Sequence, residues 1–349
     1  VNTLVLIPGR KSLRYAGFVA GRETCTGTIR GFRWQGPRAA LDEVRAIVQT
    51  MGLCDDATSV VVHGLFGGEE FPGPAALDQD ALTRLERVAR QSPLHVAGLI
   101  ETAHAVEEVF AGTPARLAFE TSFFVDLPPR ERTYAVSPDL SHKLALRRWG
   151  YHGLFHAAAS REAGRRSHKR GLDHPPRILS ICLDAQPEIA AVLGRRPITV
   201  TSGATPLEGL PGETNSGEID PAVALALAGE AGLGPEGANA LLVGESGLSG
   251  LVGHRVRLDD VLTSTRSECT RAREVLLYRM LLAAGAAAAA LGGLDAVVFS
   301  GRYVSCAAMV AHHMLPRLER AGALGPDAAE WTIFAKPLEA VLADTPTVN

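Results

Sequence analysis

The sequence predicts an α/β protein built as two domains, and three observations carry that expectation. Short apolar runs of strand length alternate with stretches of helical period. The chain has 349 residues, more than one hydrophobic core ordinarily serves. Its composition, 46% hydrophobic and 21% charged, is that of a globular chain and not of a disordered one. A net charge of −3 with no long basic run speaks against nucleic acid or an anionic membrane as the main partner.

Taken in order, residues 3–7, 59–63 and 296–300 read as buried strands, each leading into a glycine at Gly9, Gly64 and Gly301. A strand running into a glycine turn brings backbone N–H groups close to a ligand, and it is also simply how many strands end. Helical period appears over residues 37–51, 77–91, 103–110, 222–228 and 268–291. Within the last of these, the alanine-rich run 281–291 is too short to span a bilayer and reads as a buried helix. Residues 164–176, rich in Arg, Lys, Gly and Pro, read as an exposed connector before a strand at 177–183.

The strand-like opening of the chain is read as part of the fold, and no signal peptide is expected in it. Five scattered cysteines (Cys25, Cys54, Cys182, Cys269 and Cys306) form no C-x-x-C pair, so free thiols in a reducing, cytoplasmic setting are expected over zinc ligands or disulfides. No P-loop and no G-x-S-x-G elbow occurs. His152/His156 and His312-His313 lack the pattern of a metal site.

Residues 205–221, Thr-Pro-Leu-Glu-Gly-Leu-Pro-Gly-Glu-Thr-Asn-Ser-Gly-Glu-Ile-Asp-Pro, resemble the signature loop of the acetate kinase family, T-P-L-E-G-L followed by T-R-S-G-D-I-D-P. Other matches follow in family order. Val60-Val61-Val62-His63-Gly64 resembles R-V-V-H-G, and Ser92-Pro93-Leu94-His95 resembles A-P-L-H-N. Phe119-Glu120-Thr121-Ser122-Phe123-Phe124 is similar to F-D-T-A-F-H, and Leu146-Arg147-Arg148-Trp149-Gly150-Tyr151-His152-Gly153 to I-R-R-Y-G-F-H-G. The run 291–301 is similar to M-G-G-[VL]-D-A-[LI]-V-F-T-[AG]-G.

The resemblance implies the two-domain fold of acetate kinase, sugar kinases and actin, with an interdomain cleft, and a homodimer. It divides the chain into residues 1–121 plus 331–349 and residues 122–330, the second part carrying the signature loop and the dimer surface. It implies phosphoryl transfer from ATP to a small carboxylate with Mg²⁺, or a repurposed acyl or phosphoryl transfer in the same cleft. His152 then donates a hydrogen bond to the transferring group, or else it is a packed histidine. Glu120, in the place of the family's aspartate, is the metal-linked or acid–base carboxylate. Glu330 overlays a late family glutamate near the metal, or is a solvated loop residue. Val62, Leu94, Tyr151 and Pro206 fall at the positions that line the family's small-acyl pocket, or pack the wall where it stood, and Asn215 falls beside them. Gly9, Arg10, Lys11 and Ser12, with Gly301 and Arg302, fall on the nucleotide and phosphate side.

The chain also departs from the family pattern. Val60 and Asn215 stand where the resemblance places arginines. The family's H-L-G-N-G-A-S is here Cys182-Leu183-Asp184-Ala185-Gln186-Pro187-Glu188, in which Asp184 and Glu188 are expected to repel phosphate and Pro187 has no N–H to give it. Weak acetate kinase activity is therefore expected. The alternative is an inactive binding or scaffold protein that keeps the fold.

Overall fold

The computed structural model describes residues 2–31, 37–50, 57–91, 97–169, 171–324 and 331–346. The chain forms two compact units, Val1–Val125 with Lys336–Asn349, and Asp126–Ala335. The division read from the sequence fell at 121/122 and 330/331. The strand Trp331–Ile333 pairs inside the second unit, so the chain returns to the first unit only at Lys336.

The first unit is built on a six-stranded sheet. Its strands are β1 (Asn2–Gly9), β2 (Ser12–Val19), β3 (Arg22–Arg30), β4 (Ser59–Gly64), β5 (Ala75–Ala76) and β6 (Ala115–Phe119), in the order β3-β2-β1-β4-β6-β5. β1, β4 and β6 run parallel. The valine run 60–62 is wholly buried, as a central parallel strand covered on both faces requires. β1 and β2 close as a hairpin in which Gly9 pairs with Ser12, leaving Arg10 and Lys11 as a two-residue loop. Helices Pro37–Thr50, Gln79–Gln91, Ala97–Val109 and Leu338–Ala343 accompany this sheet.

The second unit contains β7 (Arg177–Cys182), β8 (Glu188–Leu193), β9 (Arg196–Val200), β10 (Ala296–Ser300) and β11 (Trp331–Ile333), in the order β11-β10-β7-β8-β9. Read from its other edge, β9-β8-β7-β10-β11 repeats the plan β3-β2-β1-β4-β6. In both, three antiparallel strands are followed by parallel partners. The two units therefore share one strand plan.

Along β7 the side chains alternate. Leu179 and Ile181 enter the core with Leu276, Met280 and Ala284 of helix Ser267–Leu291. Ser180 between them meets helix Gly153–Lys169 through His156.

Two expectations change. The connector placed at 164–176 is helical as far as Lys169; Arg165, Arg166 and Lys169 lie on the last, polar turns of a helix whose other side is buried. The alanine run 281–291 is the end of a 25-residue helix, which by length and composition alone is sufficient to cross a membrane. A third of its apolar window is buried: Ala284, Ala287 and Ala288 are buried, while Tyr278, Leu282, Ala286, Ala289 and Ala290 are exposed. Cys182, Cys269 and Cys306 are buried free thiols, and Cys25 is half-buried; Cys54 lies outside the described residues.

Candidate active site

In the second unit the segment before helix Gly153–Lys169 carries Tyr151 and His152, and both are held from beneath by Glu188. The Tyr151 N–H donates to Glu188 Oε2 at 2.8 Å and the His152 N–H to Oε1 at 2.9 Å. The His152 ring comes within 3.7 Å of the same carboxylate through Nδ1, and His156, one helical turn on, within 3.3 Å through Nε2. His156 Nδ1 meets Ser180 Oγ at 2.8 Å. Burial opposes ionisation of Glu188, yet the hydrogen bonds and charges of His152 and His156 hold its carboxyl well below the usual range.

This corrects the expectation that Glu188 repels phosphate: it has no exposed surface and its charge is directed at the His152 segment. Ser180, His156 and Glu188 have the composition of a hydrolase relay, but Ser180 is fully buried within β7, so no substrate reaches its hydroxyl.

Tyr151 is buried and its hydroxyl donates to the Ala204 carbonyl at 2.6 Å. Burial, then the nearby Glu188 charge, raises its phenol far above the usual range. A second network fixes the same neighbourhood. Tyr134 hydrogen-bonds Glu208, and Arg148 meets Glu208 at 2.7 Å. The Ala204 N–H donates to the Tyr134 hydroxyl at 2.7 Å. Glu208 belongs to the signature loop and Arg148 to the His152 motif, so the two motifs are tied together. Tyr134 carries no sequence signal that would have found it.

Within the signature loop, Asn215 turns inward. Its Oδ1 accepts the Gly212 N–H at 2.8 Å, which closes the loop on itself. Gly217 has φ +69 with backbone oxygen 2.6 Å from where a Cβ would sit, so only glycine serves there. The Pro206 carbonyl accepts from Gln186 Nε2, joining the loop to the 182–188 turn.

At that turn Asp184 pairs with Arg302 at 3.3 Å and also accepts its neighbour's N–H from Ala185 at 2.7 Å. The expected repulsion from Asp184 is thus matched by a cation that the sequence reading had placed on the phosphate side. Gly301, just after β10, has φ +96, and a Cβ there would lie 2.5 Å from the Leu183 carbonyl oxygen, so only glycine serves. Pro187 has no N–H to offer a phosphate at this turn, and Arg302 is engaged with Asp184.

In the first unit Glu120 follows β6 and is buried, with Oε1 at 2.9 Å from His63 Nε2 at the end of β4. His63 stands inside the V-V-V-H-G motif but was assigned no role; its place at a parallel strand's C-terminal end was the available signal. Among the described residues no group of three or more His, Cys, Asp or Glu side chains is arranged to hold a metal. Glu120, engaged with His63, does not by itself fit Mg²⁺. Val62 is buried in β4 and belongs to the first unit, whereas Tyr151 and Pro206 belong to the second. Val60 is buried in β4 as well. Arg10 and Lys11 are exposed at their hairpin tip, between Gly9 and Ser12. Leu94 and Glu330 lie outside the described residues. A surface depression of about 470 Å³ lined by Arg38, Asp42, Arg45, His104 and Glu108 includes none of the expected site residues.

The sequence model of the acetokinase family matches residues 38–341. The acetate kinase of Coprothermobacter proteolyticus is 34% identical over 244 residues, 69% of this chain and 60% of that protein. The acetate kinase of Deinococcus deserti is 33% identical over 293 residues, 82% of this chain and 71% of that protein. The chain therefore spans about 60% of the length of the first of these relatives. A propionate kinase structure from Francisella tularensis superposes with a TM-score of 0.85 at 20% identity, over 99% of this chain and 98% of that one, which shows a common fold. On the match over 38–341 and the one-third identity across four-fifths of its length, the chain belongs to the acetokinase family.

Proposed function

We propose that the chain is a phosphotransferase acting on a small carboxylate or related short acyl compound, homodimeric as the resemblance implies and cytoplasmic as its scattered cysteines suggest, with low turnover on acetate itself. The supporting observation is the His152 segment, which keeps the histidine between Gly150 and Gly153 and is anchored at Tyr151 and His152 by a buried carboxylate. Phosphoryl transfer spreads negative charge over the transferring oxygens, and donors fixed in advance are its main source of stabilisation. A held histidine supplies one such donor, and Tyr151 beside it an apolar wall. Acetate and propionate are the substrates named for relatives and for the structural neighbour; they are the first compounds to try. ATP and Mg²⁺ would supply the phosphoryl group and its charge neutralisation.

Low turnover follows from two positions. Val60 is apolar and buried, and the Asn215 side-chain oxygen is bonded within its own loop, so neither takes the part of a cation. One lost charge-stabilising donor lowers rate by roughly 10²–10³, and two lost from one site need not multiply. A second reading, a binding or scaffold protein that keeps the fold without turnover, is favoured by the Asp184–Arg302 pair at the 182–188 turn.

One assay separates the two. Acetate or propionate is incubated with MgATP and hydroxylamine, which traps an acyl phosphate as the hydroxamate, while a thermal shift is followed at millimolar MgATP. Hydroxamate that disappears in His152→Ala supports the phosphotransferase. No hydroxamate and no thermal shift removes it in favour of the scaffold.

A further inference from the structure

Glu188 starts β8 with no exposed surface, at a position where the family segment quoted above ends in serine. A carboxylate so placed is tolerated only when its charge is matched and its oxygens are bonded. Both oxygens are directed at one short stretch of chain: Oε2 at the Tyr151 N–H, Oε1 at the His152 N–H, with His152 Nδ1 at 3.7 Å and His156 Nε2 at 3.3 Å from Oε1. His152 Nδ1 is itself buried, while the side chain as a whole is 18% exposed. The solvent-facing edge of the ring is therefore the far one, which bears Nε2.

We propose that Glu188 is the positioning residue of His152: it anchors the backbone that carries the ring and keeps a proton on Nδ1, so that Nε2 is the nitrogen presented to a ligand. The proposal rests on the reading of His152 as the donor given above. It has a chemical consequence. With Nδ1 protonated toward Glu188, Nε2 carries a hydrogen only in the imidazolium form. His152 then donates to an anionic oxygen when charged and loses that ability on deprotonation.

The groups that share the field are His156, on the other side of the carboxylate, and Tyr151, with Tyr134, Glu208 and Arg148 beyond it. His156 meets Ser180 Oγ at 2.8 Å through Nδ1 and comes within 3.3 Å of Glu188 Oε1 through Nε2. Of the two rings that face Glu188, His156 is fully buried and only His152 reaches solvent. Both histidines contribute to holding the Glu188 carboxyl well below the usual range.

Long-range ¹H–¹⁵N correlation on the ¹⁵N-labelled chain tests this, with the His152 signals assigned by their loss in His152→Gln. Neutral His152 is expected as the Nδ1–H tautomer. In Glu188→Gln its titration midpoint is expected to move toward acid by about one pH unit, a tenfold loss of proton affinity. If acetate or propionate is turned over, the alkaline limb of kcat is expected to move with it. An Nε2–H tautomer in the unsubstituted chain overturns the proposal, and so does an unmoved midpoint in folded Glu188→Gln. Should that variant fail to fold, the tautomer in the unsubstituted chain decides. The two readings remain separable: the expected tautomer and shift without hydroxamate would remove the phosphotransferase and leave the role of Glu188 toward His152 standing.

Discussion

Arg177 and Asp295 stand at the start of the neighbouring strands β7 and β10 and meet through two parallel hydrogen bonds, Nη2 to Oδ1 at 2.7 Å and Nε to Oδ2 at 3.0 Å. The Arg177 backbone N–H adds a third at 2.8 Å. Burial opposes ionisation of Asp295, but these bonds and the Arg177 charge hold its carboxyl below the usual range. A carboxyl whose folded value is lower than its unfolded one contributes stability above the unfolded value, near pH 4, and loses it as pH falls through the folded value. Arg177 is 28% exposed in its side chain, so solvent screens part of the interaction. Asp295→Asn is accordingly expected to lower stability by about 1–2 kcal/mol at neutral pH. Urea unfolding at pH 7 and again near pH 2 checks it: the deficit should shrink at the acid end. The same scale shows why Glu188 was misread. Its type and place in the 182–188 segment suggested a charge facing ligand, whereas its partners lie 36 and 32 positions earlier in the chain, which no local pattern records.

At the scale of elements, helix Ser267–Leu291 lies against the sheet of the second unit with Ala284, Ala287 and Ala288 buried. Small side chains set how closely the helix axis approaches β7 and β8, so extra volume there has nowhere to go. Ala284→Leu is expected to destabilise by about 1–3 kcal/mol through overpacking, while Leu282→Ala on the exposed side should stay within about 0.5 kcal/mol. Thermal melts of the two variants, with a common near-UV spectrum as the folding control, decide it. Equal effects would mean that the face assignment is wrong.

This helix was legible because 3.6-residue period persists along it, and the parallel strands β1, β4 and β10 were legible because burial on both faces makes them continuous apolar runs. β3 was not: it alternates exposed and half-buried residues and reads as polar chain. The first part of helix Gly153–Lys169 was hidden because, apart from Phe155, its buried face is made of small or polar residues, among them Ala158, Ala159, Ser160 and His156. The same logic divides the site. His152 and the signature loop are contiguous motifs and could be read. The Tyr134–Glu208 contact and the pairs His63–Glu120 and Asp184–Arg302 are made by folding, and no spacing rule joins their members.

For the whole molecule, the path of the chain matters most: it builds the first unit as far as Val125, completes the second, and returns at Lys336. The returning helix Leu338–Ala343 lies on β1, β2 and β4. Val341 and Leu342 are buried there, Glu339 pairs with Arg14 at 3.2 Å, and the Ala343 carbonyl accepts from Arg116. Burying two such side chains contributes about 1.5–3 kcal/mol each, and the Arg14–Glu339 pair, partly exposed, adds little. Together that is roughly 3–6 kcal/mol, against the 5–15 kcal/mol typical of a whole domain. Removing residues 336–349 is therefore expected to bring the first unit near its unfolding threshold while the second, whose sheet closes on its own β11, keeps its order. Hydrogen exchange separates the two outcomes: β1 and β4 should lose protection in the truncated chain, and β7 and β10 should retain it. Equal loss in both sheets would mean that the units fold as one, and the last helix would then be a support of the entire chain, not of the first unit alone.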